Sequence, residues 1–218
     1  GELTLQNALA YSCNSVFIQL GMRLGKDKIL EYARLFGLGE KALIGLPEEK
    51  AGNIPRNRDV YYQDIGNISI GQGAIGVTPL QAAQLLLAIV NDGVLKKPVL
   101  VKEVMDSEGN SRMDLALEPK PQKILSAETA QKVRKALEAV TRYGTGMRAN
   151  PRNHSNIGGK TGTAETAGNT SHAWFVGYYP AEKPKLVISV FVEHGGSGSV
   201  VAAPIFREVV EGISSLTE

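Results

Sequence analysis

The chain has 218 residues, enough for one domain with a sizeable core. Hydrophobic residues at 43% and charged residues at 21% are ordinary for a globular chain. A net charge of +2, with 24 basic against 22 acidic residues and no basic run, leaves no ground for a nucleic-acid partner. The one cysteine, Cys13, excludes an intrachain disulfide. No stretch approaches the ~20 apolar residues of a membrane-spanning helix, and the start lacks the pattern of a signal peptide. That abrupt opening on Gly1-Glu2-Leu3-Thr4 fits a piece of a longer chain.

The first 36 residues read as helical. Val16, Phe17, Leu20 and Leu24 recur at helical spacing, and Ile29, Leu30, Ala33 and Phe36 do so beyond a break at Gly25. Gly37 and Gly39 end this segment. Periodicity is lost from Leu38 to Ile68, where Pro47, Gly52, Pro55 and Arg56-Asn57-Arg58-Asp59 predict a long ordered loop. Thr78-Pro79-Leu80-Gln81 then forms a capping box with proline at the first helical position, and Gly93 is the stop. The interior of that helix, Ala82 to Val90, is apolar nearly all round and predicts burial between layers.

Val99 to Met105 reads as a strand with a turn at 106–110, and Met113 to Gln122 as an extended, proline-bearing connection. Ser126 caps a helix with an apolar face of Ala130, Val133, Leu137 and Val140, ending at Gly144. Three strands follow: Ile157 to Glu165, His172 to Tyr179, and Leu186 to Glu193. Pro180-Ala181-Glu182-Lys183-Pro184 joins the last two, and Gly195 to Ser199 leads into a closing helix from about Ala202. Helices, then an antiparallel meander, then a final helix predict an α+β layered domain.

Two triplets carry chemistry. Lys160-Thr161-Gly162-Thr163 lies on the first of the late strands. There Lys160 offers charge to a carboxylate, Thr161 a hydrogen bond, and Gly162 a strand edge free of a side chain. Such a tripeptide arises by chance in roughly one chain in twenty of this length, so alone it is weak. Ser12-Cys13-Asn14 sits at a helix junction, where Asn14 or Ser15 would serve as an ordinary cap of a helix starting near Val16. The functional alternative has Ser12 relaying a proton and Asn14 holding an amide. Cys13 between them reads as a small buried filler. His172 and Trp174 border the cleft or belong to the core, His194 is open to either reading, and His154 sits in a polar loop.

Together, the two triplets resemble two of the three motifs of serine β-lactamases and penicillin-binding proteins. The likeness runs on through Ile68-Ser69-Ile70-Gly71-Gln72-Gly73, Tyr143-Gly144-Thr145-Gly146, Thr163-Ala164-Glu165, His172-Ala173-Trp174-Phe175 and Ala202-Ala203-Pro204-Ile205-Phe206, in order. The chain is thereby identified as resembling a class B, elongation-type penicillin-binding transpeptidase. No serine has lysine three positions on, so the nucleophile motif of that family is not in this sequence.

The resemblance implies that residues 1–218 are the C-terminal part of one β-lactamase/transpeptidase-like α+β domain, lacking its N-terminal strands and nucleophile helix. It implies serine acyl transfer between peptidoglycan stem peptides, with β-lactams as covalent mimics and no metal or cofactor. Ser12, Asn14 and Lys160 would be catalytic, and Thr161, Gly162, Thr163 and Trp174 would bind substrate. The backbone N–H of Thr163 would be one of two oxyanion donors. Other cell-wall synthesis proteins would be partners, and the intact protein would be anchored in the bacterial membrane with this domain outside. The fragment alone would be inactive, and the unpaired edge at Leu186 to Glu193 would favour a homodimer. A serine β-lactamase and a noncatalytic recognition module are the alternatives.

Overall fold

The structure is a computed structural model that describes residues 2–101, 103–113, 120–152, 156–166, 168 and 170–216. Three helices open the chain: α1 (Leu5–Ala10), α2 (Asn14–Leu24) and α3 (Lys26–Leu35). Thr4 caps α1 by accepting from the Asn7 amide, whereas α2 begins at Asn14 with Cys13 as an N-cap that makes no side-chain bond. This corrects the expected start near Val16 with Asn14 or Ser15 as the cap: both lie inside the helix. Cys13 is also half-buried rather than a buried filler.

The segment from Leu38 to Ile68 is mostly loop but ends in two single 3₁₀ turns and a short helix, α4 (Ile65–Ile68). Buried Gln81 pins the loop, its side-chain amide donating to the carbonyls of Glu40 (2.9 Å) and Ala51 (2.7 Å). Gln81 belongs to α5 (Pro79–Val90), whose capping box with Thr78 forms as expected, with proline at the first position. No residue from Leu80 to Val90 is exposed, as the all-round apolar pattern requires.

Past α5, β1 (Val94–Leu95) pairs with β4 (Gln122–Lys123), and β2 (Val104–Met105) pairs with β3 (Ser111–Met113). The expected strand from Val99 is thus only its last two residues. Val99, Leu100 and Val101 are exposed and lie outside any strand. Most of the proline-bearing connection, 114–119, lies outside the described residues. Helix α6 (Ala127–Arg142) is capped by Ser126, which accepts from the Thr129 amide, and buries Ala130, Leu137 and Val140.

The late strands form one antiparallel sheet in the order β5 (Gly158–Glu165), β6 (Ser171–Tyr179), β7 (Leu186–Val192), with Gly162 opposite Trp174 and Trp174 opposite Phe191. One face packs on α7 (Ala203–Leu216): Ala173, Phe175 and Val190 are buried with Phe206 and Val210. Gly177 is small for a steric reason, since a Cβ there would stand 2.7 Å from the Phe175 ring and 2.8 Å from Phe206. On the other face Tyr178 packs with Leu86, Ile89 and Leu137 from α5 and α6. The outer edge of β7 pairs with no strand among the described residues. Helices on an antiparallel sheet make the α+β architecture expected.

Candidate active site

Ser12 is the middle residue of the three, Tyr11 to Cys13, between α1 and α2, at a positive φ of 54° that a non-glycine residue rarely adopts. Hydrogen bonds from the Ser12 amide to the Leu9 carbonyl (3.1 Å) and from the Cys13 amide to the Ala8 carbonyl (2.8 Å) hold it there. The end of α6 braces the same corner. The Thr145 amide donates to the Ala10 carbonyl (3.0 Å), and the Tyr143 hydroxyl donates to Asn7 Oδ1 (2.8 Å). Gly144 lies so close to the Ala10 carbonyl that any side chain there would collide with it.

Across from this corner runs β5, whose second side pairs with no strand among the described residues. Lys160 Nζ donates to Ser12 Oγ at 2.9 Å and to the Thr161 carbonyl at 3.0 Å, joining residues 148 apart in sequence. Thr161 Oγ1 lies 2.8 Å from Thr145 Oγ1. Thr163 Oγ1 accepts from the Gly198 amide (3.2 Å), and its carbonyl accepts from Gln72 Nε2 (3.1 Å). These walls enclose a cleft of about 460 Å³ lined by Ser12, Asn14, Gln72, Thr145, Lys160 to Thr163, Ser197 and Ser199.

Burial lowers the Lys160 pKa from 10.5 to about 8. Among the described residues no acidic side chain lines the cleft to oppose that shift. An amine poised near neutrality and bonded to a hydroxyl can pass a proton through it. In its charged form the same amine is, among the described residues, the one cationic group lining the cleft, and it attracts a carboxylate. No group of histidine, cysteine and acidic residues suited to a metal occurs among the described residues.

Six of the seven residues singled out from the sequence therefore meet in one cleft: Ser12, Asn14, Lys160, Thr161, Gly162 and Thr163. Trp174 stands apart. It walls a larger, mostly apolar groove of about 730 Å³ with His172, Phe191, Ile75 and Val77, its ring 4.6 Å from that of Phe191. Gln72, Gly162 and Thr163 line both cavities. His194 sits at the far end of this wall, its amide donating to His172 Nδ1 at 3.0 Å, and His154 lies outside the described residues. Sequence reasoning passed over Gln72, Thr145, Ser197 and Ser199 as site residues. For the first two the signal was present, in the Gly71-Gln72-Gly73 and Tyr143-Gly144-Thr145-Gly146 stretches.

Comparison with known proteins agrees with this geometry. The penicillin binding protein transpeptidase domain family matches residues 1–211. Stage V sporulation protein D of Bacillus subtilis is 34% identical over 96% of this chain and 34% of its own length. Peptidoglycan D,D-transpeptidase MrdA of Haemophilus influenzae is 32% identical over 97% of this chain and 36% of its own. Among solved structures, penicillin binding protein 3 of Mycobacterium tuberculosis complexed with aztreonam superposes with a TM-score of 0.88 at 29% identity, covering 98% of this chain and 51% of that one. The imipenem acyl-enzyme complex of penicillin-binding protein A from M. tuberculosis gives a TM-score of 0.84 at 30% identity, over 96% and 47%. The chain thus spans about a third of these curated relatives and about half of the solved chains. With its motifs gathered in one cleft and the family matching nearly end to end, the chain belongs to the penicillin-binding protein transpeptidase domain family, in its class B, elongation-type branch.

Proposed function

We propose that residues 1–218 form the C-terminal part of the catalytic domain of a peptidoglycan D,D-transpeptidase and supply its recognition and proton-handling groups. The observation that carries this reading is the 2.9 Å bond from Lys160 Nζ to Ser12 Oγ, with the β5 edge and Asn14 around it. The nucleophilic serine and its lysine come from outside this sequence, in which no serine has lysine three positions on.

In the reaction, the serine hydroxyl gives its proton to the lysine of its own motif as its oxygen attacks the carbonyl carbon between two D-alanines of a stem peptide. The Thr163 N–H is one donor to the oxyanion, with the serine's own N–H as the other. The C–N bond breaks, and Lys160 through Ser12 delivers the proton that lets D-alanine leave as an amine. An amine of a neighbouring stem attacks the ester and gives up a proton to Lys160 through Ser12, the C–O bond breaks, and serine regains its proton from the motif lysine. Asn14 orients the acyl amide, while Lys160, Thr161 and Thr163 hold the terminal carboxylate and Gly162 lets the ligand backbone approach. For Trp174 the proposed contact is at the groove side of the substrate. β-Lactams enter as donor mimics and stay bound as esters.

The further proposals are that the whole protein is anchored in the bacterial membrane with this domain outside, and that it works with other cell-wall synthesis proteins. The isolated chain is proposed to be inactive and to self-associate through the free edge of β7. Light scattering that finds only monomers would remove that last point. Labelling of the full-length protein with a fluorescent penicillin tests the main reading. Lys160→Met and Ser12→Ala should each slow labelling by about 100-fold or more, the usual worth of a general acid–base group. Unchanged rates would return the chain to a noncatalytic recognition module.

A further inference from the structure

Helix α1 is too short to hold itself in place. Its 6 residues make fewer than two turns, whereas an isolated helix needs about 12 or more to be even marginal in water. Its buried residues are two alanines, Ala8 and Ala10, with Leu9 half-buried against the cluster around Tyr178, so its apolar anchorage is small. The position of α1, and of Ser12 just beyond it, therefore leans on polar ties to the end of α6.

Tyr143 supplies the tie at the first turn. It is the C-cap of α6, its amide donating to the carbonyls of Ala139 and Val140, and α6 is rooted in the core through Leu137 and Val140. The Tyr143 hydroxyl works in both directions, donating to Asn7 Oδ1 at 2.8 Å and accepting from Gln6 Nε2 at 3.1 Å. Its ring stands 6.0 Å from that of Tyr11, but Tyr11 is itself exposed and anchors little. Two residues on, Thr145 touches both walls of the cleft: its amide donates to the Ala10 carbonyl, and its hydroxyl meets Thr161 Oγ1. Tyr143 to Thr145 thus form one strap with α1 on one side and β5 on the other. Any shift of α1 against that strap changes the gap between Ser12 and Lys160, which a single 2.9 Å bond spans.

We infer that Tyr143 is a positioning residue: its hydroxyl, seated on Asn7 and Gln6, holds α1 so that Ser12 Oγ stays within hydrogen-bond reach of Lys160. This rests on the acyl-transfer reading and extends it to a side chain that does not line the cleft. Tyr143 acts on the reaction only through Ser12.

The test is the second-order rate of acylation of the full-length protein by benzylpenicillin, measured across pH. Tyr143→Phe removes the hydroxyl and keeps the ring beside Tyr11, and should slow acylation by about 3- to 10-fold, the worth of one net hydrogen bond. Asn7→Ala cuts the same bond from the other side and should act alike, with the double variant no slower than the slower single one. In a Ser12→Ala background, Tyr143→Phe should add nothing. Burial places the Lys160 inflection at about pH 8, and in Tyr143→Phe it should move upward as the amine loses its neighbour and gains water. Loss of folded protein alone would leave that inflection in place. A Tyr143→Phe effect that persists in full on Ser12→Ala, or an unmoved inflection, would make Tyr143 a brace for the fold and overturn the proposal. An unchanged rate in Tyr143→Phe would overturn it too. Full-speed acylation of Ser12→Ala, or none of the wild type, would instead remove the acyl-transfer reading, and the positioning role with it.

Discussion

Side chains alternate along β6 and β7 between two faces that meet very different neighbours. On the face toward α7, Phe175 and Phe206 stack with centroids 4.7 Å apart and both are fully buried. On the opposite face only the Tyr178 end is sealed, by α5 and α6. Trp174 and Phe191 lie further along that face and wall the groove, with Phe191 37% exposed. One face is packed for stability and holds the sheet rigid. The other leaves open surface beside the edge strand that carries Lys160 and Thr163, next to the cleft where recognition is proposed.

Substitutions on the two faces should separate accordingly. Phe206→Ala should lose about 3–5 kcal/mol in denaturant unfolding, because it opens a cavity in a closed core. Trp174→Ala removes a larger side chain yet should cost only about 1–2 kcal/mol, since its surroundings are already open. Equal losses would erase the contrast.

The charge on the open face gives a pH signature. Burial holds Lys160 at about 8 in the folded chain against 10.5 unfolded. Between these values the unfolded chain binds more protons, so stability rises with pH across the window and this contribution is lost as pH falls through 8. By pH 10 the gain should be about 2 kcal/mol, absent in Lys160→Met. Burial also pushes the Tyr178 hydroxyl above the ordinary tyrosine range, which opposes the gain only at higher pH. A flat difference between wild type and Lys160→Met would mean that the amine is solvated. The smallest effect belongs to the helix that seals the Tyr178 end: Thr78→Ala should cost about 1 kcal/mol by thermal unfolding, with penicillin labelling of the full-length protein unaffected.

Much of this was legible beforehand where the signal is local. The capping box at Thr78, the Ser126 cap and the three late strands are each specified by a few adjacent residues, and the structure places them within a residue or two. Ser12 and Lys160 were legible through their motifs. The pairing across the cleft of Gln72 with Thr163, or Thr145 with Thr161, leaves no local trace, because each depends on how distant segments pack. The placement of Trp174 was hidden for another reason. From Ala173 to Tyr179 both faces of β6 are apolar or glycine, so period-two alternation cannot say which face is core. Val99 to Val101 failed in the opposite sense: a good strand sequence stays out of the sheets where no partner strand lies beside it among the described residues.

The most direct measurement is intact mass after incubation with benzylpenicillin, on the 218-residue chain and on a version extended upstream. The account predicts an adduct on the extended chain and none on the shorter one, because Ser12 and Lys160 serve a serine that comes from outside. An adduct on the 218-residue chain itself would contradict it, and would place the nucleophile among the serines already in this sequence.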